Sequence, residues 1–149
     1  MAIEFLLVDD DSDDSDLIVE VLTEIDSTVK YTYAMDGPEA FDMLEKGYLP
    51  SIIFLDINMP RMNGWQCLSK LKANSRFKNI PVMMYSTSSF PHEIAKAFEL
   101  GALAFFTKPN YFALLKKNIK IVLDALNDGK IQILDKTVLE SITPSEKKH

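Results

Sequence analysis

With 149 residues, 47% apolar and 26% charged, the chain has the size and balance of one folded domain, large enough to bury about two-thirds of its unfolded surface. Its formal net charge of −6 argues against nucleic acid or an anionic membrane as a partner of the bulk surface, though not against a local basic patch. A single cysteine, Cys67, excludes an intrachain disulfide. Met1-Ala2-Ile3-Glu4 lacks the basic start of a leader, and no apolar run approaches the ~20 residues that span a bilayer, so a cytoplasmic location is expected.

The first predicted element is a strand over residues 3–8, carrying the apolar run Phe5-Leu6-Leu7-Val8 and ending in Asp9-Asp10-Asp11. A helix follows, with Ser12 as its expected N-cap. Asp13, Asp14 and Asp16 lie around the first turn, where the helix dipole favours negative charge. Leu17, Ile18, Val21, Leu22 and Ile25 recur at helical spacing. Residues 29–34 alternate as a shorter and more polar strand. Asp36-Gly37-Pro38 then opens a helix that Gly47 closes.

The third strand, Ile52-Ile53-Phe54-Leu55, runs directly into Asp56 and is followed by Asn58-Met59-Pro60 and Asn63-Gly64. The next helix carries Leu68 and Leu71, with Cys67 as a small buried apolar residue. A fourth strand, Val82 to Tyr85, ends in Ser86. Ser88, Ser89 and Pro91 mark another helix start and Gly101 its stop. A fifth strand over residues 103–107 ends in Lys108-Pro109, and the last helix is expected to place Phe112, Leu115, Ile119 and Val122 on one apolar face. From Asn127 the pattern loosens: Ile131 and Ile133 alternate, and Val138, Leu139 and Ile142 fit one short helical stripe.

Five strands alternating with five helices predict an α/β fold, a (βα)5 doubly wound parallel sheet. The first and third strands are apolar on both faces and belong at its centre, and residues 29–34 belong at an edge, which is compatible with the order 2-1-3-4-5. Residues 1–126 make one domain, and residues 127–149 are an extension with no domain of their own.

In such a sheet the carboxyl ends of the strands carry the ligands. Here those ends deliver Asp9, Asp10, Asp56, Ser86 and Lys108. Two unit charges ~4 Å apart at an effective dielectric of ~20 repel by about 4 kcal/mol, so the gathered carboxylates call for a cation. Oxygen-only ligands with room for water and phosphate favour Mg²⁺ over Ca²⁺. A carboxylate nucleophile, a metal, an ammonium and a hydroxyl together suit phosphoryl transfer onto Asp56. The metal, Lys108, and Ser86 with backbone N–H groups would each serve one phosphoryl oxygen.

These segments resemble the receiver domain of two-component response regulators, over residues 3–126. The resemblance implies that Asp56 is the phosphoacceptor and that Asp10, Asp56 and the backbone carbonyl of Asn58 are direct Mg²⁺ ligands, with Mn²⁺ as an alternative ion. It implies that Asp9 acts on the metal through water, and that the backbones of Asn58 and Thr87 contact the phosphoryl group. Ser86 and Phe105 would form the switch pair, with Phe105 reporting through packing alone, and the bond from Lys108 to Pro109 would be cis. Thr87 stands where a small alanine is common, and Tyr85 where an aliphatic residue is usual. The implied function is that of a stand-alone regulator, monomer or homodimer. A histidine kinase or phosphotransfer protein would phosphorylate it, a downstream protein would read it, and it would catalyse only its own phosphorylation and dephosphorylation.

The run Ser86-Thr87-Ser88-Ser89 resembles stand-alone regulators, some of them associated with phytochrome-type kinases. A phosphorylation-independent adaptor would share the fold, but no key side chain is missing. A hydrolase using aspartyl-phosphate chemistry would want an acid two residues after the nucleophile, where this chain has Asn58. His92 and His149 stand at no ligand spacing and are expected at the surface. Trp65, close to the predicted site in sequence, is expected to be a partly exposed aromatic on the third helix, a fluorescence report of Mg²⁺ binding being the alternative reading.

Overall fold

The computed structural model describes residues 2–87, 90–108 and 112–139. Apolar runs and helical periods become β1 (Glu4–Val8), α1 (Ser12–Ile25), β2 (Lys30–Ala34), α2 (Gly37–Glu45), β3 (Ile52–Asp56) and α3 (Gly64–Ala73). They continue as β4 (Val82–Ser86), α4 (Pro91–Glu99), β5 (Ala104–Thr107), α5 (Phe112–Asn127), a 3-10 turn (Ile131–Leu134) and β6 (Thr137–Leu139). The strands form one parallel sheet in the order β2-β1-β3-β4-β5-β6.

Successive side chains on a strand point to opposite faces, and here both faces are covered. Phe5, Leu7, Phe54, Met83, Tyr85 and Phe106 pack with α1 and α5 residues such as Ile18, Leu22, Ile119 and Val122. Leu6, Val8, Ile53, Leu55, Met84 and Phe105 pack on the other side with Ala40, Leu44, Leu68 and Ala97 from α2, α3 and α4. Two cores explain why β1 and β3 read as unbroken apolar runs and why half-exposed β2 ends the sheet.

Local details depart from expectation at several places. The N-cap of α1 is Asp11, whose carboxylate accepts from the Asp13 N–H, and Ser12 is the first helical residue. Both types cap well, and the side chain one residue earlier reaches the free amide. α4 begins at Pro91 after Phe90, which offers no side-chain cap, and Ser88 and Ser89 lie outside the described residues. Phe112, placed on the apolar face of α5, is exposed, while Leu115, Ile119 and Val122 are buried.

The larger departure is the tail. Ile131 and Ile133 belong to a 3-10 turn, and Val138 and Leu139 lie in a strand and not on a helical stripe; Ile142 lies outside the described residues. β6 pairs in parallel with β5, with Phe105 opposite Val138 and Phe106 opposite Leu139, and the Lys136 amide donates to the Leu103 carbonyl at 2.6 Å. Leu134 and Leu139 are buried in the core shared with α5, so the sheet has six strands.

Candidate functional site

A parallel sheet brings all its carboxyl ends to one edge, and the strand order sets β1, β3, β4 and β5 side by side there. Asp9 follows β1, Asp56 and Ser86 end β3 and β4, and Lys108 follows β5. Asp9, Asp56 and Ser86 are all buried, and Asp10 is exposed. One carboxylate oxygen from each of Asp9, Asp10 and Asp56 lies within 4.8 Å of the others. This set of hard oxygen donors, with one open flank at Asp10, fits a small divalent cation.

Lys108 reaches into the same cluster. Its Nζ lies 3.0 Å from Asp9 Oδ2, 3.4 Å from Asp56 Oδ1 and 2.7 Å from Asp14 Oδ2. It also sits 4.9 Å from the centre of the Tyr85 ring, within cation–π range. The Lys108 amide donates to the Ser86 carbonyl at 2.7 Å, tying the lysine to the end of β4.

Burial pushes the Asp56 carboxyl up to about 7. Lys108 pulls it down, and the charges of Asp9 and Asp10 push it up again. Asp9 is likewise raised, mainly by burial, against the pull of the Asp11 amide and of Lys108. Burial alone would lower Lys108, but its bond to Asp14 and the charges of Asp56 and Asp9 outweigh that and raise it. One ammonium therefore does not balance these acids. A divalent ion would cancel what Lys108 leaves on Asp9, Asp10 and Asp56.

The loop after β3 is held from both sides. Ile57 and Met59 are buried and flank exposed Asn58. Arg61 adopts a left-handed φ of 63° and pairs with Asp36, the N-cap of α2, and the Met62 side chain covers Gly37. Asn63 and Gln66 close a capping box on α3, and the Gly64 amide donates to the Ile57 carbonyl at 2.7 Å. A Cβ on Gly64 would overlap the Asp56 carbonyl oxygen and come within 2.7 Å of the Ile57 Cα. Both are backbone atoms and cannot step aside. Gly64→Ala is therefore expected to cost about 3 kcal/mol, in the range of overpacking, and to shift Asp56 itself, measurable by urea unfolding beside wild type.

Ser86 and Phe105 face the α4 side of the sheet, with Phe105 fully buried between Met84 and Val138 in the register. Thr87 is exposed just beyond β4. Pro109, and with it the bond from Lys108, lies outside the described residues, as does His149. His92 is exposed and stacks on Phe90, Cys67 is buried, and Trp65 is half-buried with Lys96 over its ring.

Two participants were not singled out from sequence. Asp14 reads there as a helix-dipole residue, and the available signal was its place in the first turn of the helix leaving β1. The Arg61–Asp36 pair joins two loops 25 residues apart and left no local pattern. A cleft of ≈ 280 Å³ lies at the opposite edge of the sheet, lined by residues including Lys72, Pro81, Phe98 and Lys136, and shares no residue with the carboxylate cluster.

The model of the response regulator receiver domain matches residues 5–120. The chain is 31% identical over 120 residues to chemotaxis protein CheY1 of Helicobacter pylori, covering 80% of this chain and 96% of that one. It is 36% identical over 104 residues to the two-component response regulator ORR11 of Oryza sativa subsp. indica, covering 70% of this chain and 69% of that one. Among solved structures, the phosphorylated cyanobacterial phytochrome response regulator RcpA superposes with a TM-score of 0.79 at 26% identity, over 87% of this chain and 96% of that one. The Mn²⁺-bound form of response regulator Rcp1 gives 0.72 at 29%, over 80% and 91%. The chain belongs to the response regulator receiver domain family, a family of signalling modules in two-component systems. Its flavodoxin-like order 2-1-3-4-5 is the expected one, extended by β6. No helix among the described residues is long and apolar enough to cross a membrane.

Proposed function

We propose that this protein is a phosphorylation-activated signalling switch that accepts a phosphoryl group on Asp56 from a histidine kinase or phosphotransfer protein. The observation that carries this reading is the meeting of Asp56 with Asp9, Asp10 and Lys108 at one sheet edge. An Asp56 oxygen attacks phosphorus, an acyl–phosphate P–O bond forms, and the P–N bond to the donor imidazole breaks, its electron pair and a proton staying with that ring. Lys108 faces one equatorial oxygen. The Ser86 hydroxyl and the backbone amides of Asn58 and Thr87 serve another.

Asp9, Asp10, Asp56 and the Asn58 carbonyl would hold Mg²⁺, or Mn²⁺ in its place. Bound there, the ion would supply neutralising charge to the phosphoryl oxygens. The Mn²⁺-bound Rcp1 and the oxygen-only donor set both support a divalent ion. Ser86 and Phe105 form the switch. Movement of the hydroxyl toward the phosphoryl group changes the packing around Phe105 and shifts the population of the α4–β5–α5 surface that a downstream protein reads.

The protein catalyses only its own phosphorylation and dephosphorylation, acts in the cytoplasm as a monomer or homodimer, and has no separate substrate. Residues 1–126 form the receiver unit and residues 127–149 an extension. The likeness to RcpA supports testing phytochrome-type kinases first as donors.

With acetyl phosphate and Mg²⁺, intact-mass spectrometry should record one added phosphoryl group. EDTA should abolish it, and Lys108→Ala should slow it by at least about tenfold, the loss of one charge-assisted contact to the transferring group. Uptake undiminished by EDTA would remove the metal from the mechanism.

A further inference from the structure

The shortest contact of the Lys108 ammonium is to none of the residues that resemble the family's site. It is to Asp14 on the first turn of α1, at 2.7 Å, against 3.0 Å to Asp9 and 3.4 Å to Asp56. An ammonium has three N–H donors, and these three carboxylates engage all of them. The Tyr85 ring lies on a further side of the ammonium. Lys108 is thus anchored by a side chain that belongs neither to the nucleophile nor to the metal cluster.

We propose that Asp14 is a positioning residue that anchors Lys108 and gives the metal-loaded site one excess negative charge, favouring the cation and opposing the incoming phosphoryl group. This rests on the function proposed above. Asp9, Asp10 and Asp56 carry three negative charges, which a divalent ion and Lys108 cancel. Asp14 adds a fourth, and among the described residues its one ion-pair partner is the same Lys108. Asp14 is about one-third exposed, so the field it adds is screened but not lost. Removing its charge also frees one Lys108 donor to turn toward Asp9 and Asp56, where it competes with the metal.

Both effects act with opposite sign on a cation and on an anion. In full-length protein whose unchanged circular dichroism shows it folded, Asp14→Asn should weaken Mg²⁺ binding by calorimetry about three- to tenfold. At saturating Mg²⁺ the same variant should react faster with acetyl phosphate, its second-order rate constant rising by a similar factor of about three to ten. Asp14→Glu, which keeps the charge, should stay near wild type in both. A merely structural role would depress both quantities together. That outcome, or no change in Mg²⁺ affinity, would overturn the proposal. If wild-type Asp56 accepts no phosphoryl group, the function proposed above fails by itself, and the Mg²⁺ affinity of Asp14→Asn alone still decides the role of Asp14.

Discussion

Replacing Asp56 by Asn should remove phosphoryl uptake, by at least about a hundredfold, and at the same time make the metal-free protein more stable. The two outcomes share one cause. A carboxylate that is 6% exposed and faces Asp9 and Asp10 is a good nucleophile in a poor electrostatic position. Its carboxyl stands at about 7 in the folded protein against an ordinary 3.8, with burial the largest cause.

Between about pH 4 and pH 7 the folded chain therefore holds a proton that the unfolded chain has released, and stability falls as pH rises through that window. Above it the loss is complete. Asparagine keeps the shape without the charge. The difference in melting temperature between variant and wild type should be small near pH 4, grow to pH 7 and then stay level. Allowing for screening, it amounts to about 2 kcal/mol, or roughly 4–8 °C for a domain of this size.

Saturating Mg²⁺ should reverse the order, because only wild type has all three carboxylates to bind it. An ion at a hundred times its dissociation constant adds about 2.7 kcal/mol. Thermal melts of both proteins at several pH values, with EDTA and with Mg²⁺, measure all of this. A variant less stable than wild type in EDTA at pH 8 would mean that Lys108 outweighs burial.

The second large effect concerns the tail. A chain ending at Gly129 loses Leu134 and Leu139, both buried, along with half-buried Ile131 and Val138. A fully buried leucine contributes about 1.5–3 kcal/mol, and the order imposed on a short tail offsets part of the gain from two of them. The truncated chain is expected to be less stable by about 3 kcal/mol in urea unfolding.

It should also bare the edge of β5, whose backbone groups now pair with β6. A free edge invites pairing with another chain, so self-association that rises with concentration should appear in sedimentation velocity. An unchanged unfolding midpoint would make β6 a loosely laid strand with no part in the core.

The contrast between centre and tail shows what sequence patterning carries. β1 and β3 were legible because both of their faces are covered, leaving runs such as Ile52-Ile53-Phe54-Leu55 with no polar interruption. β2 was legible as an edge because Lys30, Tyr31 and Thr32 face solvent at least in part. β6 was not legible. Three residues are too few to separate a period of 2 from one of 3.6, and the chain reaches them through Lys136 in a left-handed conformation with φ 59°.

The candidate site follows the same division. Asp9, Asp56, Ser86 and Lys108 each sit directly at a strand end, and the parallel sheet does the rest. Asp14 and the Arg61–Asp36 pair depend on how a helix and two loops are laid over that edge, which is a tertiary fact. The cap of α1 moved by a single residue, from Ser12 to Asp11, because neighbouring residues of similar capping strength leave the choice to local geometry.

The proposed function hangs on one acyl phosphate, so its position is the measurement to make. Full-length protein treated with acetyl phosphate and Mg²⁺, then reduced with borohydride, would carry a permanent mark wherever an aspartyl phosphate had formed, readable by peptide mass spectrometry. The mark is expected at Asp56 alone and absent when EDTA is present. A mark at Asp9, Asp10 or Asp11, or protein left unmarked, would contradict phosphoryl acceptance by Asp56.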